Sequence, residues 1–226
     1  MVYQGPGAEV ELPPAVAGPA FLSDGTEVWV RPVQRSDRDI LLDLLEREAP
    51  ALSRPSAAAP TLTEEDLLAP GSPDERLCLL VLGERTDRVT VLGVGEYRRL
   101  EAGSPVAEVA FLVGGPFRDQ GIATLLLSRL ARAALTFGIV RFEAHVGPGN
   151  PEMLEVFRGS GVRVTEEEDT GGVDVQIPLA PEVGAHGASL AAPSITRPRT
   201  SSPRRGTADR PPALGRLRPP TTRSRL

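Results

Sequence analysis

"GGPFRDQGIATLLLSRLARAALTFG", residues 114–138, begins as a glycine-bearing turn and continues as an amphipathic helix. Leu126, Leu130, Ala134 and Phe137 recur at helical spacing on one side, Ser128, Arg132 and Thr136 line another, and Gly138 stands where a C-terminal cap belongs. The stretch before it, "PVAEVAFLVG" (105–114), is a short apolar run of strand character. A strand, a turn and a helix in that order leave N–H groups at the helix start without intrahelical acceptors, with the positive end of the helix dipole behind them. Such a join can accept an anion, a phosphate above all, though the residues alone also fit an ordinary connection. Two familiar nucleotide signatures are excluded. No Lys-Ser or Lys-Thr pair follows the last glycine, as a P-loop requires, and no G-x-G-x-x-G follows a first strand.

Working outward, strands and helices alternate. "EVWVRPV" (27–33) reads as a strand and "SDRDILLDLLERE" (36–48) as a helix with Ser36 at its N-cap. "LTEEDLLA" (62–69) predicts a shorter helix that opens at Thr63. "RLCLLVLGE" (76–84), "VTVLGVGEYRRL" (89–100) and the run at 105–114 predict three strands whose connections, "ERTDR" and "EAGSP", are short enough for antiparallel neighbours. After the main helix come a strand at 140–146, a helix at 150–161 with Asn150 at its cap and Pro151 at its first position, and a closing strand pair around "DTGG". The fold class is therefore α/β, with a mixed, mainly antiparallel sheet flanked by helices and a crossover through the main helix.

Composition limits the functions this framework can serve. Of 226 residues, 40% are hydrophobic and 24% charged, which suits one globular domain with some chain left over. No apolar run is long enough for a membrane span. The N-terminal residues, broken by Pro13, Pro14 and Pro19, lack the pattern of a signal peptide, so a soluble, cytoplasmic protein without a membrane partner is expected. The single cysteine, Cys78, lies in the apolar run "LCLLVLG". It permits no intrachain disulfide and no cysteine metal cluster, and it predicts a buried, inert thiol; no metal is expected.

All basic residues are arginine, and they are unevenly placed. Residues 1–180 hold 16 Arg against 28 acids, whereas 181–226 hold nine Arg against Glu182 and Asp209. The latter segment is rich in Pro, Arg and Ser and is expected to be a disordered basic tail. It has no aromatic side chain on which bases could stack, so nucleic acid is not expected as a partner. The organisation read from the sequence is a leader at 1–23, a domain at 24–180 and the tail at 181–226. Monomer and homodimer are both compatible with it.

Arg118, Gly121 and Ala123 set R-x-x-G-x-A at the join, and this resembles the acetyl-CoA pyrophosphate turn of the GNAT N-acetyltransferases, Q or R, x, x, G, x, then G or A. The resemblance continues in "DGTEVWVRPVQRSD", in "VAEVAFLV" and in "GNPEMLEVFRGSGV", and covers about residues 24–180. Its nearest flavour is the GNAT domain of bacterial protein lysine acetyltransferases. It implies the GNAT fold, with a cleft between two splayed strands that holds acetyl-CoA as co-substrate. Phe111, Leu112 and Val113 would lie along the pantetheine. Arg118, Asp119, Gln120, Gly121, Ile122, Ala123 and Thr124 would surround the pyrophosphate, and Asn150 and Phe157 would flank the lower pantetheine arm. The implied chemistry is direct attack of an amine, a protein lysine or a small molecule, on the thioester.

The amine must lose a proton, and Glu108 is the candidate base. It interrupts the apolar strand "VAEVAFLV", and the resemblance places the acidic base of the related protein acetyltransferases at this position. From the residues alone, a solvent-facing carboxylate is the plainer account. Glu96, Tyr97 and His145 could line the site as well; a solvated strand face is the plainer account of Glu96 and Tyr97, and a structural or surface role that of His145. Two departures stand out. Asp119 occupies a position where many relatives have glycine, and the helix at 150–161 offers Met153 and Phe157 where many have a tyrosine acid. An acyl-CoA-binding sensor or interaction domain with little catalysis is the alternative function these departures leave open.

Overall fold

The chain's structure, a computed structural model, describes residues 2–5, 8–13, 15–52, 62–68, 71–85, 88–148, 150–160, 164–168 and 171–179. All of them belong to the first of two units into which the chain divides, Met1–Ala192. In chain order there is a hairpin of β1 (Val2–Gly5) and β2 (Ala8–Glu11), then β3 (Gly18–Phe21), β4 (Glu27–Pro32), helices α1 (Arg38–Leu52) and α2 (Glu64–Leu68), and the strands β5 (Arg76–Arg85), β6 (Arg88–Arg99) and β7 (Val106–Val113). Helix α3 (Ile122–Thr136) follows, then β8 (Arg141–Val146), α4 (Pro151–Arg158), β9 (Thr165–Glu168) and β10 (Val173–Pro178). The hairpin apart, the strands form one eight-stranded sheet in the order β3-β4-β5-β6-β7-β8-β10-β9. Its pairs are antiparallel except β7 with β8, which the α3 crossover makes parallel. This is the mixed α/β fold expected, and among the described residues no helix is long and apolar enough to cross a membrane.

Strand alternation sends side chains to two cores, one on each face of the sheet. Leu77, Leu79, Val109, Phe142 and Val175 meet Ile122, Leu126 and Leu130 of α3 and Phe157 of α4 on one face. Cys78, Leu80, Val94 and Leu112 meet Leu41 and Leu44 of α1 and Leu67 of α2 on the other. Helix α3 sits close because β6 is bare beneath it. A Cβ on Gly93 would lie 2.8 Å from Cγ2 of Ile122, and one on Gly95 would lie 2.8 Å from Cδ1 of Phe111. The helix is capped one residue before the glycine expected as its cap. Phe137 is the cap and Gly138, at φ +77°, follows it, with Gly138 N–H donating to Leu135 O at 3.2 Å and Ile139 N–H to Ala134 O at 3.0 Å. These paired bonds close the last turn and send the chain back into β8.

Two expectations need correction. Ser36 does not cap α1; the helix is led in by a short 3-10 turn, Arg35–Asp37, whose cap is Gln34. The reason is Asp37. Its buried carboxylate accepts the Gln34 N–H at 2.7 Å and a two-pronged bond from Arg31 of β4, 2.6 Å on each arm, which a serine hydroxyl could not match. The second concerns the leader. Leu12, Val16 and Leu22 are buried in the α3-side core, and β3 pairs with β4 from Gly18↔Val30 to Phe21↔Glu27. Arg129 of α3 fastens this segment by donating to Ala15 O at 2.5 Å and Pro19 O at 3.2 Å. Burial, with repulsion from Arg132 added, lowers the pKa of Arg129 below its ordinary value. The pattern was hidden because Pro13, Pro14 and Pro19 break the periodicity while leaving the apolar residues free to pack. The expected tail, 181–226, lies outside the described residues.

The bare strip on β6 generates a prediction. Gly93→Ala should cost about 1–3 kcal/mol of stability by forcing Ile122 and the Leu112 carbonyl apart, measured by urea denaturation. Retained wild-type stability would show that α3 can lift without loss.

Candidate active site

The β7–β8 ladder consists of Val106↔Arg141, Ala107↔Phe142 and Glu108↔Glu143. Beyond Glu108 the two strands share no ladder among the described residues. Each is held by its other neighbour instead: β7 pairs with β6 as far as Val113, and β8 pairs with β10 as far as Val146. A gap therefore opens between residues 109–113 and 144–146. Which backbone groups face it follows from alternation. Val106 O accepts from Leu100 N–H and Gly114 N–H donates to Leu92 O, so the even-numbered residues turn toward β6. The amide groups of Val109, Phe111 and Val113 consequently face the gap, an arrangement that can bond an extended amide-bearing chain. Leu112, included among the expected contacts, does not join them; its side chain is buried on the α1 face and its backbone turns to β6.

The gap leads to the turn. Leu92, an extra residue where the β5–β6 register shifts, accepts the Gly114 N–H at 2.9 Å and so fixes where β7 ends. A short 3-10 turn, Gly115–Phe117, follows, with Phe117 buried beneath it. The chain then passes through two left-handed residues, Asp119 at φ +61° and Gly121 at φ +84°, and α3 begins at Ile122. No atom lies within 4 Å of where a Gly121 Cβ would be. The leading N–H groups of α3 therefore stand at an open surface, while the side chains of Ile122 and Ala123 are buried and Thr124 is exposed. Gln120 is held at both ends, its carbonyl accepting from Ser23 N–H at 3.2 Å and its side-chain amide donating to Pro116 O at 3.3 Å.

The left-handed backbone at position 119 accounts for the departure noted there. Glycine adopts that conformation freely, and aspartate is among the few other residues that tolerate it. Asp119 is exposed, so its carboxylate is free to remain in solvent. Arg118 carries a feature that was not legible in the sequence: its Nη2 donates to Glu48 of α1 at 2.8 Å, and the same carboxylate accepts Gly115 N–H at 2.7 Å.

Glu108 stands on the last rung before the strands part. Its side chain, 26% exposed, accepts from Nη2 of Arg98 at 3.0 Å across the β6–β7 pair. Glu143 lies opposite it on β8 and is bonded in turn by Arg141 at 3.1 Å. Two like charges side by side on neighbouring strands are destabilising unless flanked in this way. Neither Arg98 nor Glu143 was singled out from the sequence, because their proximity to Glu108 exists only in the strand register.

Glu96 and Tyr97 are buried, not on a solvated strand face, and His145 has a structural partner. Glu96 is buried and bonded by Arg76 through Nε at 3.0 Å and Nη2 at 2.7 Å. The fully buried Tyr97 donates its hydroxyl to Pro73 O and stacks its ring against Phe142. His145 Nδ1 is 2.7 Å from Asp174 Oδ1 on β10, and its Nε2 lies 2.8 Å from where a Gly172 Cβ would be, so the ring leans away from the gap. Cys78 is buried, and desolvation, with the nearby Glu96 charge adding to it, pushes its thiol well above the usual range. Asn150 caps α4 by accepting Met153 N–H at 3.3 Å, and Phe157 packs its ring 6.2 Å from Phe111, which brings α4 to the gap. Among the described residues, no group of three or more His, Cys, Asp or Glu could hold a metal.

Comparison with known proteins agrees with this geometry. The model of the acetyltransferase (GNAT) family matches residues 39–162, more than half of the chain, and the chain belongs to that family. Among solved structures, the GNAT domain of S. lividans PAT superposes with a TM-score of 0.61 at 28% identity, over 74% of this chain and 99% of that one. A cAMP-binding acyltransferase from Mycobacterium smegmatis matches at 0.52 and 21%, over 73% of this chain and 48% of that protein. The PaiA N-acetyltransferase from Thermoplasma acidophilum, in complex with coenzyme A, matches at 0.51 and 14%, over 67% and 98%. The chain is thus an N-acetyltransferase by class, dependent on an acyl-CoA.

The strained position in the turn gives a prediction. Asp119→Ala should lose about 1 kcal/mol of stability, whereas Asp119→Gly should lose less and bind acyl-CoA no more weakly than the parent. Thermal denaturation and calorimetric titration check both; an alanine variant as stable as the glycine one would refute the backbone account.

Proposed function

We propose that the chain transfers the acetyl group of acetyl-CoA to a primary amine, with a protein lysine as the foremost acceptor and a small-molecule amine as the second. The observation that carries this reading is the fork itself. A carboxylate on the last β7–β8 rung adjoins a gap lined by free strand amides, and the gap ends at an N–H-rich helix start. Pantetheine would bond the amides of Phe111 and Val113 with Asn150 and Phe157 beside its lower arm, and the pyrophosphate would rest on the N–H groups of residues 119–124. The acetyl thioester would then reach down toward Glu108.

The chemistry is one displacement through a tetrahedral adduct. Glu108 takes a proton from the acceptor ammonium, directly or through one water, and the neutral nitrogen attacks the thioester carbonyl. The carbon–nitrogen bond forms, the adduct's nitrogen gives up its second proton to solvent, the carbon–sulfur bond breaks, and the CoA thiolate takes a proton from solvent. Holding both reactants in the gap supplies much of the acceleration. A protein acceptor is favoured by the 28% identity to the PAT domain and by the excess of acids over arginines in residues 1–180, which draws in a cationic partner. Cytoplasmic residence fits a chain whose only cysteine is a buried thiol.

Glu108→Gln should lower turnover by a factor on the order of 10²–10⁴ while leaving acyl-CoA affinity unchanged. Free-thiol release over a panel of amines and lysine peptides, with calorimetric titration of CoA, reads both quantities. Unchanged turnover would remove Glu108 from the mechanism, and acyl-CoA binding without thiol release by the parent chain would favour a sensor.

A further inference from the structure

Leu41, Leu44 and Glu48 share one face of α1 at helical spacing, and the first two are buried in the core against the sheet. An acid in the third place is anomalous. Its side chain is only 8% exposed, and a buried carboxylate without compensation costs several kcal/mol. Among the described residues, compensation comes from the turn between β7 and α3. Gly115 N–H donates to Oε1 at 2.7 Å and Arg118 Nη2 to Oε2 at 2.8 Å, so one carboxylate grips the turn before and after Pro116 and Phe117. Arg118 stays half exposed, and Nη2 is the only one of its side-chain donors engaged among the described residues.

We propose that Glu48 is the positioning residue of the phosphate turn, a buried post on α1 that fixes the Arg118 guanidinium and the Gly115 amide so that the turn is already shaped for an acyl-CoA pyrophosphate. The inference rests on the reading of this turn as the pyrophosphate site. Glu48 does not touch the ligand. It acts by removing alternatives: a guanidinium held through one nitrogen keeps its remaining donors for a second anion, and a turn anchored at its start loses little further freedom on binding. The same carboxylate couples α1 to the site, because Gly115 and Arg118 cannot shift without breaking the bonds that offset its burial.

Glu48→Gln tests this with little change of volume. The amide oxygen can still accept from Gly115, but the ionic partner of Arg118 is gone. CoA affinity by calorimetry, KM and kcat for acetyl-CoA with an amine acceptor, and the thermal midpoint are measured together. The expected result is a rise of roughly tenfold in CoA Kd and in acetyl-CoA KM, with the loss carried by KM rather than kcat and with acceptor KM unmoved. In an Arg118→Gln background the same substitution should add nothing further. Glu48→Asp, which keeps the charge but draws it back from the turn, should weaken CoA in the same direction, and it carries the test if the glutamine variant does not fold. Folded variants whose CoA Kd stays within about twofold of the parent, or whose loss falls on kcat alone, would overturn the positioning role. A parent chain that fails to bind CoA at all would instead overturn the pyrophosphate reading on which it rests.

Discussion

The parallel ladder between β7 and β8 stops at Glu108 and Glu143, and the candidate site depends on that stop. Each strand is fully engaged on its far side, by β6 and by β10, so the parting costs the sheet only the bonds that would have filled the gap. Those bonds are unmet in the strand ladder but not unmeetable, since an extended ligand with amides of its own can complete them. The helix behind β7 continues the same logic. Its leading N–H groups have no partner within the helix, and in the proposed reading the gap guides an anionic ligand to them. On that reading, one interruption in pairing supplies both the groove and its anion-binding end.

Charge is divided between two uses. Arg31 with Asp37, Arg76 with Glu96 and Arg118 with Glu48 each pair a nearly buried carboxylate with a guanidinium; they tie β4 to the turn before α1, β5 to β6, and the β7–α3 turn to α1. Pairs of this kind fix geometry more than they add stability. The series Arg98, Glu108, Glu143 and Arg141 differs, because it lies on an open part of the sheet and is more exposed. Exposed pairs of that sort contribute little to the fold. A carboxylate there is accessible to an acceptor and can be reorganised at small cost, which suits an acid–base group.

Much of the architecture was legible because it rests on local rules. The apolar run at 105–114, the helical spacing of Leu126, Leu130 and Ala134, and the Asn-Pro start of α4 each state their element directly. Ser36 misled because a serine before a helix is a good cap in isolation, and only the approach of Arg31 from β4 gives Asp37 the stronger claim. The N-terminal segment misled for a related reason. Prolines erase its period, yet Leu12 and Val16 need only reach the core, not form a regular element. At Asp119 the sequence showed a departure from glycine, whereas the backbone shows a residue tolerated in a left-handed position.

The sequence by itself determined the α/β order, the strand–turn–helix join with its glycine at 121, and the single carboxylate in the strand before it. These follow from near-neighbour periodicity and conformational preference, which need no tertiary partner to be expressed. Tertiary structure alone decided where the strands part, that Arg98 and Glu143 flank Glu108, and that Glu48 reaches the turn from 67 positions away. The reason is that register and helix docking join residues remote in the chain, and no local preference of Glu48 or Arg118 records which partner the packed sheet will bring to it.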